Sequence, residues 1–285
     1  MDDSKRLAVL GLGTMGRTLV RGLLEAGHDP RKIVGTARRK EAAESAAEEL
    51  GIEVSLDSAS AAASAEVILL CVKPKQLGEL LTELADEDAL THDPLLVSIA
   101  AGVSTDSIEK AAQRALPIVR AMPNTPCRIR EGMTVLSAGR DAGDEHLAYA
   151  ERLFTPLGRV MRLDEEHMDA VTGLSASGPA FVYVIIEALS EGGVMVGLPR
   201  AAATTLAAQM VQGAARMVLG SGKHPAALKD EVTTPAGCTI SALLSLEDGK
   251  LRSVLARGVQ EATIASAGLG QKSAGQYRQP PRSTR

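Results

Sequence analysis

Short apolar runs alternate with stretches of helical spacing over the first 163 residues, and beyond them the alternation stops. Residues 7–10 are uniformly apolar, as a strand buried on both faces must be. Leu19, Val20, Leu23 and Leu24 then keep helical spacing until Gly27, a residue that ends helices. Further strands are predicted at 33–36, 52–54, 67–72, 95–99, 118–121, 133–137 and 159–163. Helices are predicted between them, one over 42–50 closed by Gly51 and another ending at Phe154. Strands spaced by helices predict an α/β domain over 1–163, built on a doubly wound sheet with its chemistry at the strands' C-terminal ends.

From residue 164 the pattern is helical only. Helices are predicted over 179–196, 200–219, a short stretch after Pro225, 240–246 and 250–267. They are rich in Ala, Val, Leu and Met, with Glu187 and Arg200 among the few charges of the first two. Helices apolar on nearly all sides must be buried on nearly all sides. A small all-α domain cannot do this alone, so residues 164–270 are expected to form a homodimer interface, with Met195, Met210 and Met217 as packing. Residues 271–285 carry four cations, two prolines and no acid, and are expected to be disordered.

The first strand runs into Gly11-Leu12-Gly13-Thr14-Met15-Gly16, followed by a helix. In that context the glycines match a dinucleotide fingerprint: one for the tight turn, one for approach to a pyrophosphate, one for close helix–strand packing. The helix start adds free N–H groups and a partial positive charge. After the second strand stand Thr36-Ala37-Arg38-Arg39-Lys40, with no acid to take a ribose hydroxyl pair. Guanidinium groups there suit a 2′-phosphate, so the expected cofactor is NADPH, with NADH as the alternative.

Other strand ends carry Val72-Lys73-Pro74, Ala100-Ala101-Gly102 and Met122-Pro123-Asn124-Thr125-Pro126. Lys73 either faces the nicotinamide end of the cofactor or is a surface lysine, and Asn124 on its stiff loop suits orienting a ligand amide. In the second half, Thr233-Thr234-Pro235-Ala236-Gly237-Cys238-Thr239 leads into a helix with small residues that leave its first amides uncovered, a receptor for a carboxylate.

Composition narrows the function. The chain of 285 residues is 45% hydrophobic and 23% charged, enough apolar surface to exclude disorder of the whole. A net charge of −4 and an aromatic content of 2% supply neither field nor stacking platforms for nucleic acid. No uncharged apolar run reaches the roughly 20 residues of a membrane span, since 170–186 is interrupted by Gly173, Ser175, Ser177, Gly178 and Pro179. The start lacks the layout of a signal peptide, which makes the cytoplasm the expected location. Cys71, Cys127 and Cys238 are unpaired in spacing, and the five histidines show no ligand pattern, so neither disulfides nor a metal are expected.

Taken in order, Gly11–Gly16, Val72-Lys73-Pro74, Met122–Pro126, Gly173-Leu174-Ser175-Ala176-Ser177-Gly178-Pro179 and Val232–Thr239 resemble pyrroline-5-carboxylate reductases over residues 6–268. The resemblance implies a Rossmann-like first domain and an all-α dimerisation domain, with dimers that often assemble further into a decamer. It implies NAD(P)H-dependent reduction of the C=N bond of 1-pyrroline-5-carboxylate to L-proline, the last step of proline biosynthesis. The substrate carboxylate would sit on the amides of Gly237, Cys238 and Thr239 with the Thr234 hydroxyl, and Thr239 would lie near the ring nitrogen as the catalytic residue. The cofactor would be held by Gly11, Leu12, Gly13, Thr14, Met15, Gly16, Arg38, Arg39, Val72, Lys73, Pro74, Ala100 and Asn124. The chain departs from the family with Ala176 and Ala236 in place of Gly, acceptable only at negative φ, and with Cys238, expected to be a small apolar filler. His167 is expected to be structural. Two rivals are a non-catalytic NADP-binding sensor and a β-hydroxyacid dehydrogenase; the second is opposed by the absence of any Lys between Lys110 and Lys223.

Overall fold

Uniform burial of the short apolar runs makes them central strands. The computed structural model describes residues 5–271. Strands β1 (Leu7–Leu10), β2 (Ile33–Thr36), β3 (Glu53–Ser55), β4 (Val67–Leu70), β5 (Leu95–Ser98), β6 (Ile118–Met122), β7 (Gly132–Ala138) and β8 (Gly158–Arg162) form one sheet in the order β3-β2-β1-β4-β5-β6-β7-β8. The order turns back at β1 and β4, the crevice where doubly wound sheets take their ligands. Helices α1 (Thr14–Glu25), α2 (Lys40–Leu50), α3 (Ser58–Ala63), α4 (Pro74–Asp86), α5 (Thr105–Ala112) and α6 (Asp144–Phe154) join the strands. Leu19, Val20, Leu23, Leu153 and Phe154 cover one face, and Leu77, Leu81, Leu84 and Ile108 are buried in the core of the other.

Strand β7 departs from the all-parallel pattern by pairing antiparallel to β6. Only a 3₁₀ turn, Thr125–Ile129, separates the two strands, too short for a parallel crossover.

The chain forms two compact units: residues up to Ser177 together with those from Glu261 on, and residues Gly178–Gln260. The expected boundary at 163/164 coincides with the end of the strands, but the chain stays with the sheet until 177. The reason is burial, because Met168 and Val171 of α7 (Met168–Val171) pack with Met122 and Val135. Residues Thr172–Ala176 then form a π-turn closed by the Ser177 amide on the Thr172 carbonyl at 2.9 Å. The predicted interruption of the apolar run is therefore absent: Gly173, Ser175 and Pro179 are accommodated within a helical run, Glu165–Met195, long and apolar enough to cross a membrane by length and composition.

The second unit holds α8 (Gly178–Met195), α9 (Arg200–Ser221), α10 (Pro225–Glu231), α11 (Cys238–Asp248) and the first half of α12 (Leu251–Gln271). Met195, Met210 and Met217 are exposed, so they are not core of the single chain. Leu206, Leu244, Leu246 and Ile264 are exposed with them. The rest of the basic tail, 272–285, lies outside the described residues.

Candidate active site

The three fingerprint glycines stand in three different settings. Gly11 has φ +104, left-handed backbone that a side chain rarely adopts. A methyl group at Gly16 would overlap the Gly11 carbonyl oxygen, so α1 can approach β1 this closely only with glycine there. A methyl at Gly13 would meet nothing, because the loop is open at that point. The first turn of α1 has neither a side-chain cap nor an acid, and its amides face that opening. Leu12 and Met15 instead turn inward onto the core, which leaves only their backbone for a ligand.

Two side chains outside the fingerprint hold this loop. The Gly11 amide donates to the Thr36 hydroxyl at 3.2 Å. Arg17 donates from Nε to the Leu12 carbonyl at 3.2 Å and from Nη2 to the Ala42 carbonyl at 3.2 Å, and pairs with Glu49. That bond to Arg17 holds the Glu49 carboxyl below its ordinary range. Neither residue has a signature in the sequence, since the contacts join separate elements. Cys71 closes the back of the loop, and burial pushes its thiol up to about 12, which makes it packing rather than chemistry.

Arg38 and Arg39 follow β2 on the surface and make no ion pair among the described residues. Two unneutralised guanidinium groups beside an open glycine loop fit a phosphorylated ribose, so the residues present fit NADP. Lys73 is exposed as the N-cap of α4, with Pro74 opening the helix, and Val72 packs beside Gly11. Ala100 is buried, so it can face a cofactor only through its backbone.

Asn124 is already engaged by the protein. Its Nδ2 donates to the Ser175 carbonyl at 3.3 Å, and its Oδ1 accepts from the Met133 amide at 2.9 Å. The carboxamide expected to orient a ligand thus brackets β7 and the π-turn.

In the second unit, Thr234-Pro235-Ala236-Gly237 make a tight turn closed by the Gly237 amide on the Thr234 carbonyl at 3.1 Å. That bond occupies the Gly237 amide. The amides left at the start of α11 are those of Cys238, Thr239 and Ile240, with no side chain capping them. A methyl at Gly237 would overlap the Thr234 hydroxyl oxygen, so any side chain there would displace that hydroxyl. Two expectations are corrected. Ala236 has φ +57, the left-handed region that glycine would occupy freely, whereas Ala176 is not at positive φ. Cys238 is exposed and is no filler. His167 lies on the surface, 3.6 Å from Glu166.

Two family models match the chain. One, described as pyrroline-5-carboxylate reductase dimerisation, matches residues 165–269. The other, described as NADP oxidoreductase coenzyme F420-dependent, matches residues 6–102. A pyrroline-5-carboxylate reductase of Schizosaccharomyces pombe is 41% identical over 278 residues, covering 92% of this chain and 98% of that protein. Among solved structures, a pyrroline-5-carboxylate reductase from Coxiella burnetii superposes with a TM-score of 0.86 at 35% identity, covering 93% of this chain and 98% of that one. The Plasmodium falciparum pyrroline carboxylate reductase with NADP bound gives 0.85 at 28% identity, covering 94% and 99%. Glycine loop, the two arginines after β2 and the open helix start all lie within the residues that the two family models match, and with relatives of this identity and coverage the chain belongs to the pyrroline-5-carboxylate reductase family.

Proposed function

We propose that this chain reduces the C=N bond of 1-pyrroline-5-carboxylate to L-proline, with NADPH preferred over NADH. The observation that carries the reading is the uncapped start of α11 after the Thr234–Gly237 turn, in a chain that also carries the open glycine loop. When bound, the nicotinamide supplies the hydride that the ring carbon takes up, while the electron pair of the C=N bond passes to a protonated nitrogen.

The chain's own residues bind and orient. The amides of Cys238 and Thr239 receive the substrate carboxylate, and the exposed Thr234 hydroxyl adds a donor. The Thr239 hydroxyl makes no side-chain hydrogen bond among the described residues and is free to hold the ring nitrogen. Arg38 and Arg39 take the 2′-phosphate, and the amides of Gly13 to Met15 take the pyrophosphate. A protonated imine is a strong hydride acceptor, so holding two reactants face to face suffices without a Lys or His base. The exposed apolar helices support a homodimer, with a decamer as the larger assembly, and the cytoplasm is the proposed location.

Oxidation of NADPH followed by absorbance, with 1-pyrroline-5-carboxylate as acceptor, tests this directly. Rapid turnover that falls in Thr239→Ala supports reaction and site together. Tight NADPH binding without turnover would replace the enzyme by a dinucleotide sensor.

A further inference from the structure

Residues 165–177 are fastened to the rest of the first unit by two polar rungs. Arg120 of β6, its side chain only 4% exposed, reaches Asp169 Oδ1 from Nη2 at 3.1 Å and Glu165 Oε1 from Nη1 at 3.6 Å. The same Asp169 oxygen accepts from the Ser266 hydroxyl at 3.0 Å, so α12 is tied at that atom too. Glu165 also accepts from the Thr105 amide at 2.7 Å and the Thr105 hydroxyl at 2.5 Å. The second rung is Asn124 to Ser175. Met168 and Val171 lie between the rungs in one cluster with Met122 and Val135, and Ala101, Met133 and Ala176 pack at its edge.

Stability alone is a poor reason for this arrangement. Arg120 Nε is buried without a partner, and an ion pair whose guanidinium is buried while its carboxylates stay about a third exposed adds little net stability once the buried charge is desolvated. What the pair does supply is register. The segment must sit where Asp169 and Glu165 both reach one guanidinium, and the π-turn begins three residues beyond Asp169. An i→i+5 turn is an uncommon backbone state, so holding it in place calls for contacts on both sides.

We propose that Asp169 and Arg120 are positioning residues that hold the π-turn beside Ala101 and Asn124, after β5 and β6; with the 2′-phosphate at Arg38 and Arg39 and the pyrophosphate at the glycine loop, as in the function proposed above, the nicotinamide end of the cofactor would lie at these strand ends. They touch no reactant. Their loss should reduce turnover and leave dinucleotide affinity intact, because the glycine loop and Arg38 lie at the other end of the cofactor.

Asp169→Asn in the full chain, which keeps the side chain's size, is the test. Expected are a kcat at least about tenfold lower, an NADPH KM within about twofold, and faster deuterium exchange at residues 172–177 with β1 and α1 unchanged. Asp169→Glu should recover part of both. A folded Asp169→Asn with wild-type kcat and exchange overturns the proposal. So does a kcat loss with unchanged exchange, which would make Asp169 a direct participant. If Asp169→Asn does not fold, Ser266→Ala and Arg120→Lys are judged by the same two readouts. Failure of the wild-type chain to reduce the imine would count against the proposed reaction alone, while the exchange comparison would still decide whether the rungs hold the turn.

Discussion

The Gly11 amide and the Thr36 hydroxyl, 3.2 Å apart, join the first fingerprint glycine to the end of the neighbouring strand. Thr36 is buried, and its hydroxyl fixes the turn from which the cofactor's phosphates would be bound. Thr36→Val keeps the shape and removes the acceptor, at a cost of about 1–2 kcal/mol for a part-buried amide left unpaired. NADPH and NADH should both bind about five- to tenfold more weakly in a fluorescence titration. Unchanged affinity would mean that the loop keeps its form without this bond.

Arg38 and Arg39 should act on one cofactor only. A charge-assisted hydrogen bond to phosphate is worth about 1.5–3 kcal/mol, so Arg38→Gln with Arg39→Gln should raise the NADPH KM by about tenfold or more. The NADH KM should stay within about twofold. Equal losses for both cofactors would remove these residues from the 2′-phosphate.

Ala236 stands at φ +57 in the turn before α11. A left-handed alanine costs about 1–2 kcal/mol, and glycine there relieves it while adding about 0.4–1 kcal/mol of unfolded-state entropy. Ala236→Gly should therefore leave the melting temperature unchanged or raise it slightly, with the imine KM no higher. A β-branched side chain is a severe outlier at that φ, so Ala236→Val should raise the imine KM more than about tenfold. Equal KM values for both variants would show that the turn does not shape the substrate site.

Glu49 links acid pH to the glycine loop. Arg17 lowers its folded pKa below the ordinary 4.5, so the pair contributes stability that is complete above that value and is lost as pH falls through the depressed one. Glu49→Gln should be less stable than the parent chain at neutral pH. The two denaturation midpoints should converge as pH falls below the usual carboxylate range. A constant gap across that range would assign the effect to packing.

The glycine loop was legible because its requirements are local: a strand, a turn that tolerates positive φ, and a helix start occur within ten residues. The open start of α11 was legible for the same reason, although the Gly237 amide is spent on the turn and Ala236 proves left-handed. Asn124 was identified as a special position but not by its role. Its carboxamide is taken up by Ser175, 51 residues away, a pairing that no spacing announces. The strand boundaries moved by one or two residues at most, whereas the direction of β7 followed from a connection too short to cross over.

By itself the sequence determined the α/β and all-α halves, the phosphate-binding loop, the cations after β2 and the family. All of these depend on residue order over short spans, where periodicity and φ preference act. Only the tertiary structure decided that Thr36 and Arg17 support the loop, that the chain stays with the sheet through the π-turn, and that Arg120, Asp169 and Ser266 meet at one oxygen. Those contacts join residues up to 97 positions apart, and their physical basis is the burial of charge and hydrogen-bonding groups, which exists only once the elements have packed.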